Sequence, residues 1–280
     1  MESIQVEQSK SIIIDFFGED MIDGHVHLEK GPLTKEYVYE FIDEAIRKNI
    51  GELQILDHTH RFKEFGPIYE KYKINEAQIN WLNSDLRNSI YEYIELVEEM
   101  KKETLPIKVT FGLEVCYQSE EEKSIKELIK DIYNWDFLVG SVHAIDYIVY
   151  DSAWSIKELW DKYDTDYIYS RYYKTMFDLI KSNLFSQLAH PDTIKMFNYY
   201  PTYDLTDTYH ELANELSMHH MKVENNVGCY YRYHHSDMGL SDELLDIFKQ
   251  HKCSLITASD AHYPKDVGNY IKEVCDKTMK

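Results

Sequence analysis

The chain has 280 residues, a length that is ordinary for one α/β barrel and sufficient, at 44% hydrophobic residues, to bury a sizeable core. Its 10 glycines and 6 prolines are too few for a low-complexity or disordered protein. The net charge of −20 disfavours long nucleic acids and anionic membranes as partners, although bound cations can reverse the field inside a site that takes a small anionic ligand.

The N-terminal residues precede the pattern of the rest of the chain. Residues 1–10 are polar and lack the apolar core of a secretion signal, and the apolar run at residues 12–17 is too short to span a bilayer. The four cysteines form no Cys-x-x-Cys pair. We therefore expect a soluble cytoplasmic protein with reduced, mostly buried thiols, an extension at residues 1–18, and one barrel domain at residues 19–280.

Short β-branched apolar runs alternate with longer segments of helical periodicity from residue 21 onwards. The predicted strands are residues 21–27, 53–57, 107–115, 137–143, 184–190, 221–226 and 254–259. The predicted helices are residues 35–48, 84–103, 121–133, 165–181, 206–219 and 241–251, followed by a closing helix that ends at Cys275. Seven strands with intervening helices predict a parallel α/β barrel.

Histidine and carboxylate residues lie at the ends of six of the seven predicted strands. In chain order they are His25, His27, Asp57, His58, Glu114, His143, His190, Asp260 and His262. The carboxyl ends of all strands in a parallel barrel meet on one face, so residues far apart in sequence are expected to converge there. Strand alternation also places the two rings of His25 and His27 on the same side. The pattern predicts a metal site at one mouth of the barrel.

Each of these residues alone has a structural explanation, because a single histidine usually makes a hydrogen bond within the fold and a single glutamate is usually solvated. The combination favours metal binding, since chance placement of 13 histidines would scatter many of them into helices. Histidine and carboxylate donors without a convergent set of cysteines suit Zn²⁺, Fe²⁺ or Mn²⁺. Two such ions a few ångströms apart suit the hydrolysis of phosphate esters.

Six motifs together resemble the ordered motifs of the PHP (polymerase and histidinol phosphatase) superfamily. They are His25-Val26-His27, Asp57-His58, Glu114, the Gly-Ser-Val-His that ends at His143, Ala189-His190-Pro191-Asp192 and Ser259-Asp260-Ala261-His262. The match runs from about residue 22 to residue 268 and is most similar to the monofunctional histidinol-phosphatases. The resemblance implies a distorted (β/α)7 TIM-like barrel, a trinuclear metal centre and phosphomonoester hydrolysis, with histidinol phosphate from histidine biosynthesis as the first candidate substrate.

The resemblance also implies ligands for two or three divalent metal ions. The first metal takes His25, His27, Glu114 and Asp260; the second takes Glu114 as a bridge, with His143 and His190; the third takes His58 and His262. Relatives have a further histidine where this chain has Leu33. Glu29 or His60 can complete the third site, although Glu29 can equally be a solvated loop charge and His60 an outer group.

Phosphate recognition requires cations besides the metals, and the planar fork of arginine matches phosphate oxygens. The resemblance points first to Arg171, on the helix after the fourth strand. Arg232, two positions beyond the place where relatives carry an arginine, and Arg61 are the other candidates. The leaving oxygen is either stabilised by the third metal or protonated by a catalytic Asp260 or His262.

Other functions stay open on the residues alone. A protein-tyrosine phosphatase or a nuclease of the same superfamily is the nearest alternative, and the net charge of −20 counts against the nuclease. An amidohydrolase would often bridge its metals with a modified lysine, whereas the corresponding strand here offers Glu114. A non-enzymatic metal-binding module would tolerate the loss of ligands, yet the core set is complete. The native metal, the preferred ester and the oligomeric state are left open.

Overall fold

The computed structural model describes residues 21–279, so the predicted extension at residues 1–18 lies outside the described residues. Its strands are β1 (Met21–His27), β2 (Ile50–Leu56), β3 (Lys108–Cys116), β4 (Phe137–Ser141), β5 (Ala144–Ile145), β6 (Ile148–Val149), β7 (Gln187–Leu188), β8 (Lys222–Asn226) and β9 (Leu255–Ala258). Seven of them form a parallel sheet in the order β1-β2-β3-β4-β7-β8-β9, and β5 pairs with β6 in an antiparallel hairpin. The predicted TIM-like α/β barrel is thereby confirmed.

The helices surround this sheet. They are α1 (Lys35–Arg47), α2 (Glu76–Asp85), α3 (Ile90–Met100), α4 (Glu122–Ile132), α5 (Thr165–Lys181), α6 (Thr206–Met218), α7 (Gly228–Tyr233), α8 (Asp242–Gln250) and α9 (Ile271–Met279). Apolar strand residues pack under them, as shown by the complete burial of Leu53, Leu113 and Val223. Across residues 21–279, no helix has the length and apolar character needed to cross a membrane.

The first and last strands meet through the backbone and nearly close the barrel. The amide of His27 donates to the carbonyl of Ala261 at 2.7 Å, and the amide of Asp260 donates to the carbonyl of His25 at 2.9 Å. The first and last of the predicted metal-binding motifs, which contain His27 and Asp260, are therefore neighbours in space, as a parallel barrel predicts.

A buried carboxylate on β1 reinforces this seam. Asp23 accepts hydrogen bonds from the amide and hydroxyl of Ser259, at 2.8 and 2.6 Å, and from the amide of Gly268 at 2.8 Å. Because all three donors come from the segment after β9, one side chain ties both ends of the barrel together. The burial of Asp23 raises the pKa of its carboxyl group.

The segment between β2 and β3 differs from the prediction. One helix at residues 84–103 was expected, whereas α2 ends at Asp85 and α3 begins at Ile90, where the Ser89 side chain accepts from the amide of Tyr91. The helix is interrupted between Asp85 and Ile90 because the backbone amides of Arg87 and Asn88 both donate to the carbonyl of residue 61. This break directs α2 towards the mouth of the barrel that carries the histidines.

Candidate active site and metal centre

Glu114 lies at the centre of the converging histidines and is fully buried on β3. Its Oε2 is 3.0 Å from His25 Nε2 and 3.1 Å from His58 Nδ1. Its Oε1 is 2.7 Å from His143 Nε2 and 3.3 Å from His190 Nε2. The two oxygens of one carboxylate thus face two different groups of histidines, which is the geometry that a bridging ligand requires.

His25, His27 and Asp260 form the first of these groups. The Nε2 atoms of His25 and His27 are 2.8 Å apart, and Asp260 Oδ1 is 3.3 Å from His27 Nε2 and 3.9 Å from His25 Nε2. Ring nitrogens this close, with no protein group between them, repel each other unless a proton or a cation lies there. This donor arrangement fits a divalent metal ion.

His58 lies at the centre of the group that would hold a third metal. Its ligand atoms lie within 4.8 Å of those of His27 and His262, and a second such set joins His58 to Glu29 and His60. Glu29 Oε1 is also 3.6 Å from His262 Nε2. Both residues considered as replacements for the missing histidine are therefore within reach of this position.

The structure brings all eight predicted ligands to one mouth of the barrel. They are His25, His27, His58, Glu114, His143, His190, Asp260 and His262. The donor set combines imidazole nitrogen with carboxylate oxygen, and it contains no thiol. Such a set fits Zn²⁺, Fe²⁺ or Mn²⁺ better than a structural thiolate zinc site. Which residue binds which ion stays a prediction.

Two of the predicted ligands have unusual backbone conformations. His190 and Asp260 have positive φ angles of 23° and 57°, in a region that non-glycine residues rarely adopt. Gly228 faces Asp260 closely: a Cβ at this position would lie 2.7 Å from Asp260 Oδ2 and 3.1 Å from Arg232 Nη2. A larger residue at position 228 would therefore displace the Asp260 carboxylate from its present position.

Two outer carboxylates orient histidines of the cluster. Glu224 Oε1 is 2.7 Å from His25 Nδ1, and Asp151 Oδ2 is 2.5 Å from His143 Nδ1. In both histidines the Nδ1–H donates outward and Nε2 faces the cluster, which is the usual arrangement behind a metal-bound imidazole. Burial alone would lower the pKa of His25, but the carboxylates of Glu224 and Glu114 hold it well above its ordinary value.

Neither of the two outer carboxylates was predicted as part of the site. Glu224 gave a signal, because it is a charged residue in the middle of the predicted strand at residues 221–226. It lies on β8 and also accepts from the side-chain amide of Gln187 (Nε2) at 2.8 Å. Asp151 gave none, since it follows the hairpin of β5 and β6, whose position cannot be inferred from periodicity.

Replacing Glu224 with glutamine is expected to weaken metal binding by about 10-fold to 100-fold, the usual effect of losing an outer carboxylate partner. Glutamine keeps the size of the side chain but removes the charge that holds His25 in position. Chelator competition followed by elemental analysis measures this change. Glu211→Gln, which removes an exposed charge from α6, is the matched control. Wild-type metal affinity in Glu224→Gln would contradict the positioning role.

Arg232 is the arginine that reaches the site. Its Nη2 donates to Asp260 Oδ2 at 2.6 Å, and its Nη1 lies 2.6 Å from His262 Nδ1. The side chain comes from α7, a short helix that was not predicted, and it lines the cavity above the histidines. A cation in this position can contact an anion that also contacts the metals.

The other two arginine candidates lie elsewhere. Arg171 donates from Nε to Asp146 Oδ1 at 2.9 Å, beside the hairpin, and does not line the cavity. Arg61 is buried and donates to Asp57, Asn88 and the carbonyl of residue 31, so its donors are used within the fold. The geometry therefore does not support the phosphate-binding roles predicted for these two residues.

The two candidates for a general acid both have pKa values below their ordinary values. Burial raises the pKa of Asp260, but Arg232 and the neighbouring histidines bring it well below its ordinary value. Burial, together with the charge of Arg232, lowers the pKa of His262 to about 3. These environments disfavour the proton-donor alternative and suit residues that present lone pairs to a cation.

A cavity of about 350 Å³ opens above the cluster. Its floor includes His58, His143, His190, Asp260 and His262. Its walls include Tyr72, Trp81, Asp85, Asp151, Tyr233 and Tyr263. Lys30 and Arg232 also line it and are ion-paired with Glu29 and Asp260, respectively. The cavity offers room for one small molecule in contact with the metal-type residues.

Comparison with known proteins supports the predicted resemblance. The histidinol-phosphatase of Bacillus subtilis is 22% identical over 268 residues, which cover 88% of this chain and 95% of that protein. A probable histidinol-phosphatase of Deinococcus radiodurans is 25% identical over 193 residues, covering 66% of this chain and 71% of that protein.

Solved structures share the fold. The histidinol phosphate phosphatase of Lactococcus lactis, complexed with zinc, L-histidinol and phosphate, has a TM-score of 0.65 at 16% identity, over 92% of this chain and 94% of that one. A putative histidinol phosphatase of Listeria monocytogenes has a TM-score of 0.69 at 16% identity, over 90% and 99%. The sequence profile named PHP domain matches residues 23–228, more than half of the chain. The chain therefore belongs to the PHP domain family.

Proposed function

We propose that the chain is a metal-dependent phosphomonoesterase that hydrolyses L-histidinol phosphate to L-histidinol and phosphate, as a step of histidine biosynthesis. The observation that carries this proposal is the convergence of eight predicted histidine and carboxylate ligands at one barrel mouth, where five of them and Arg232 line a cavity. The names of the relatives support the substrate, and the Lactococcus lactis structure contains zinc together with L-histidinol and phosphate.

Two or three divalent ions are proposed as cofactors, chosen from zinc, iron and manganese because imidazole and carboxylate donors suit them. Bound ions of this kind supply Lewis acidity to the phosphoryl oxygens and lower the pKa of a water nucleophile. Glu114 holds the two histidine groups at a fixed spacing, since its oxygens contact both. His25 and His143 are in turn oriented by Glu224 and Asp151.

Arg232 is proposed to bind the phosphate. A guanidinium has five N–H donors in a planar fork, so contacts to Asp260 and His262 leave donors for phosphate oxygens. Its contribution is expected to increase as negative charge develops on those oxygens in the transition state. The aromatic side chains of the cavity wall offer an apolar surface to the alcohol part of the substrate.

Phosphate release from a panel of esters tests the proposed function. The purified protein should be loaded separately with Mn²⁺, Zn²⁺ and Fe²⁺ and assayed with L-histidinol phosphate, p-nitrophenyl phosphate, a phosphotyrosine peptide and single-stranded DNA. We expect the highest kcat/KM with L-histidinol phosphate. A preference for the peptide or the DNA would make the substrate assignment wrong and leave family membership intact. Full activity in metal-free protein would contradict the mechanism.

A further inference from the structure

One wall of the cavity is formed by α2 and contains no predicted metal ligand. Trp81 and Asp85 lie four residues apart near the end of this helix, so they share one of its faces. Both residues line the same cavity as the predicted metal ligands. A molecule bound at the cluster can therefore extend from the metals to this wall.

Asp85 differs from the other carboxylates of the cavity in its partners. Glu29 is paired with Lys30, Asp260 with Arg232, and Asp151 accepts from a histidine. Among residues 21–279, no lysine or arginine pairs with the carboxylate of Asp85. Its Oδ2 is 3.6 Å from His60 Nε2, and its Oδ1 accepts from the Ser84 hydroxyl at 3.4 Å. A carboxylate without a cationic partner at a half-buried cavity wall is a natural acceptor for a positively charged ligand group.

Trp81 adds an aromatic surface at the same place. Its ring centroid is 5.0 Å from that of His60, whose ring stacks on His58 at 4.4 Å. One imidazole ring therefore separates the predicted third-metal ligand from the wall of Trp81 and Asp85. This spacing fits a small alcohol whose charged group lies a few atoms from its ester oxygen, and an indole face attracts such a cation.

We propose that Asp85 and Trp81 bind a positively charged amine on the alcohol part of the phosphomonoester substrate. The inference rests on the proposed function, because it assigns the recognition of the organic part of that substrate. Asp85 accepts a charge-assisted hydrogen bond from the ammonium group, and the Trp81 ring contacts it from the side. The site then selects cationic esters over neutral ones by binding the leaving group as well as the phosphate.

Asp85→Asn and Trp81→Leu test this assignment in the metal-loaded protein. Binding of L-histidinol and of inorganic phosphate is measured by calorimetry, and kcat/KM is measured for L-histidinol phosphate and p-nitrophenyl phosphate. In Asp85→Asn we expect the Kd of L-histidinol to rise by about 10-fold to 100-fold, the effect of one lost hydrogen bond between charged groups. The ratio of kcat/KM between the cationic and the neutral ester should fall by a similar factor. Trp81→Leu should raise the Kd of L-histidinol by about 2-fold to 30-fold.

Glu127→Gln is the matched control, because it removes one exposed negative charge from α4, away from the cavity. An unchanged ratio of the two esters in Asp85→Asn would overturn the inference. It would also be overturned if both esters lost activity equally and bound metal fell, since Asp85 would then act through His60. If the wild type hydrolyses no ester yet binds L-histidinol through Asp85, the inference holds and the proposed function fails.

Discussion

Glu114→Gln is expected to empty two metal sites together and to lower kcat/KM by more than about 100-fold. The two oxygens of Glu114 face separate histidine groups at 2.7 to 3.3 Å, so one substitution removes a negative charge from both. Loss of an outer carboxylate already costs up to about 100-fold in metal affinity or activity, and a direct bridging ligand should cost more. Elemental analysis of the purified variant, with phosphate release in parallel, measures both effects.

A control must separate this effect from the general cost of losing a carboxylate. Glu64→Gln is suitable, because Glu64 accepts from the Ser89 hydroxyl and the amide of Ile90 at the start of α3 and does not line the cavity. It should keep its metals even if its thermal unfolding temperature falls. Loss of a single metal from Glu114→Gln would make Glu114 a terminal ligand, and unchanged metal content would remove it from the centre.

The position of the site could be predicted because strand order and strand ends are encoded locally. His25 and His27 follow from the alternation of one short run, and Glu114, His143 and Asp260 each follow an apolar run that could be recognised alone. In a parallel barrel the ends of such runs meet whatever the details of the loops. The convergence of these residues therefore needed no knowledge of tertiary contacts.

The partners of those residues could not be predicted in the same way. Asp151 reaches His143 only because the hairpin of β5 and β6 folds back over the barrel mouth, and a hairpin of two-residue strands has almost no periodicity. Ring orientation and hydrogen bonding of a histidine depend on such contacts. The sequence thus indicated which side chains converge but did not identify the carboxylates that orient them.

The arginines show the same limit for helices. Arg171 lies on α5, a helix that was correctly predicted, but the side chain is directed to Asp146 and not to the cavity. Arg232 lies on α7, a six-residue helix that begins at Gly228 and is too short to show an apolar stripe. To decide which of the two arginines reaches the cavity, the direction of each side chain must be known, and helix prediction alone does not provide it.

Arg232→Ala is expected to lower kcat/KM. The corresponding loss of transition-state stabilisation is about 2 to 4 kcal/mol, the range for removing one electrostatic donor. The guanidinium lies between Asp260 and His262 at the cavity wall, where it can donate to the phosphate oxygens. Arg232→Lys should recover only part of the loss, because an ammonium group cannot copy the planar fork. Steady-state kinetics with L-histidinol phosphate measures these changes, and elemental analysis shows whether the metal content is unchanged.

Arg171→Ala provides the matched comparison, since it removes the same guanidinium from a position outside the cavity. Arg171 is partly exposed and paired with Asp146, so its loss should change the free energy of unfolding by about 0 to 1 kcal/mol and leave kcat/KM near the wild-type value. A large loss of activity in Arg171→Ala with normal activity in Arg232→Ala would reverse the assignment. If Arg232→Ala instead loses metal and activity together, its main role is to hold Asp260 in position. Only a loss of kcat/KM at full metal content supports direct phosphate binding by Arg232, because in that case the ligands are intact and the missing contact is to the substrate.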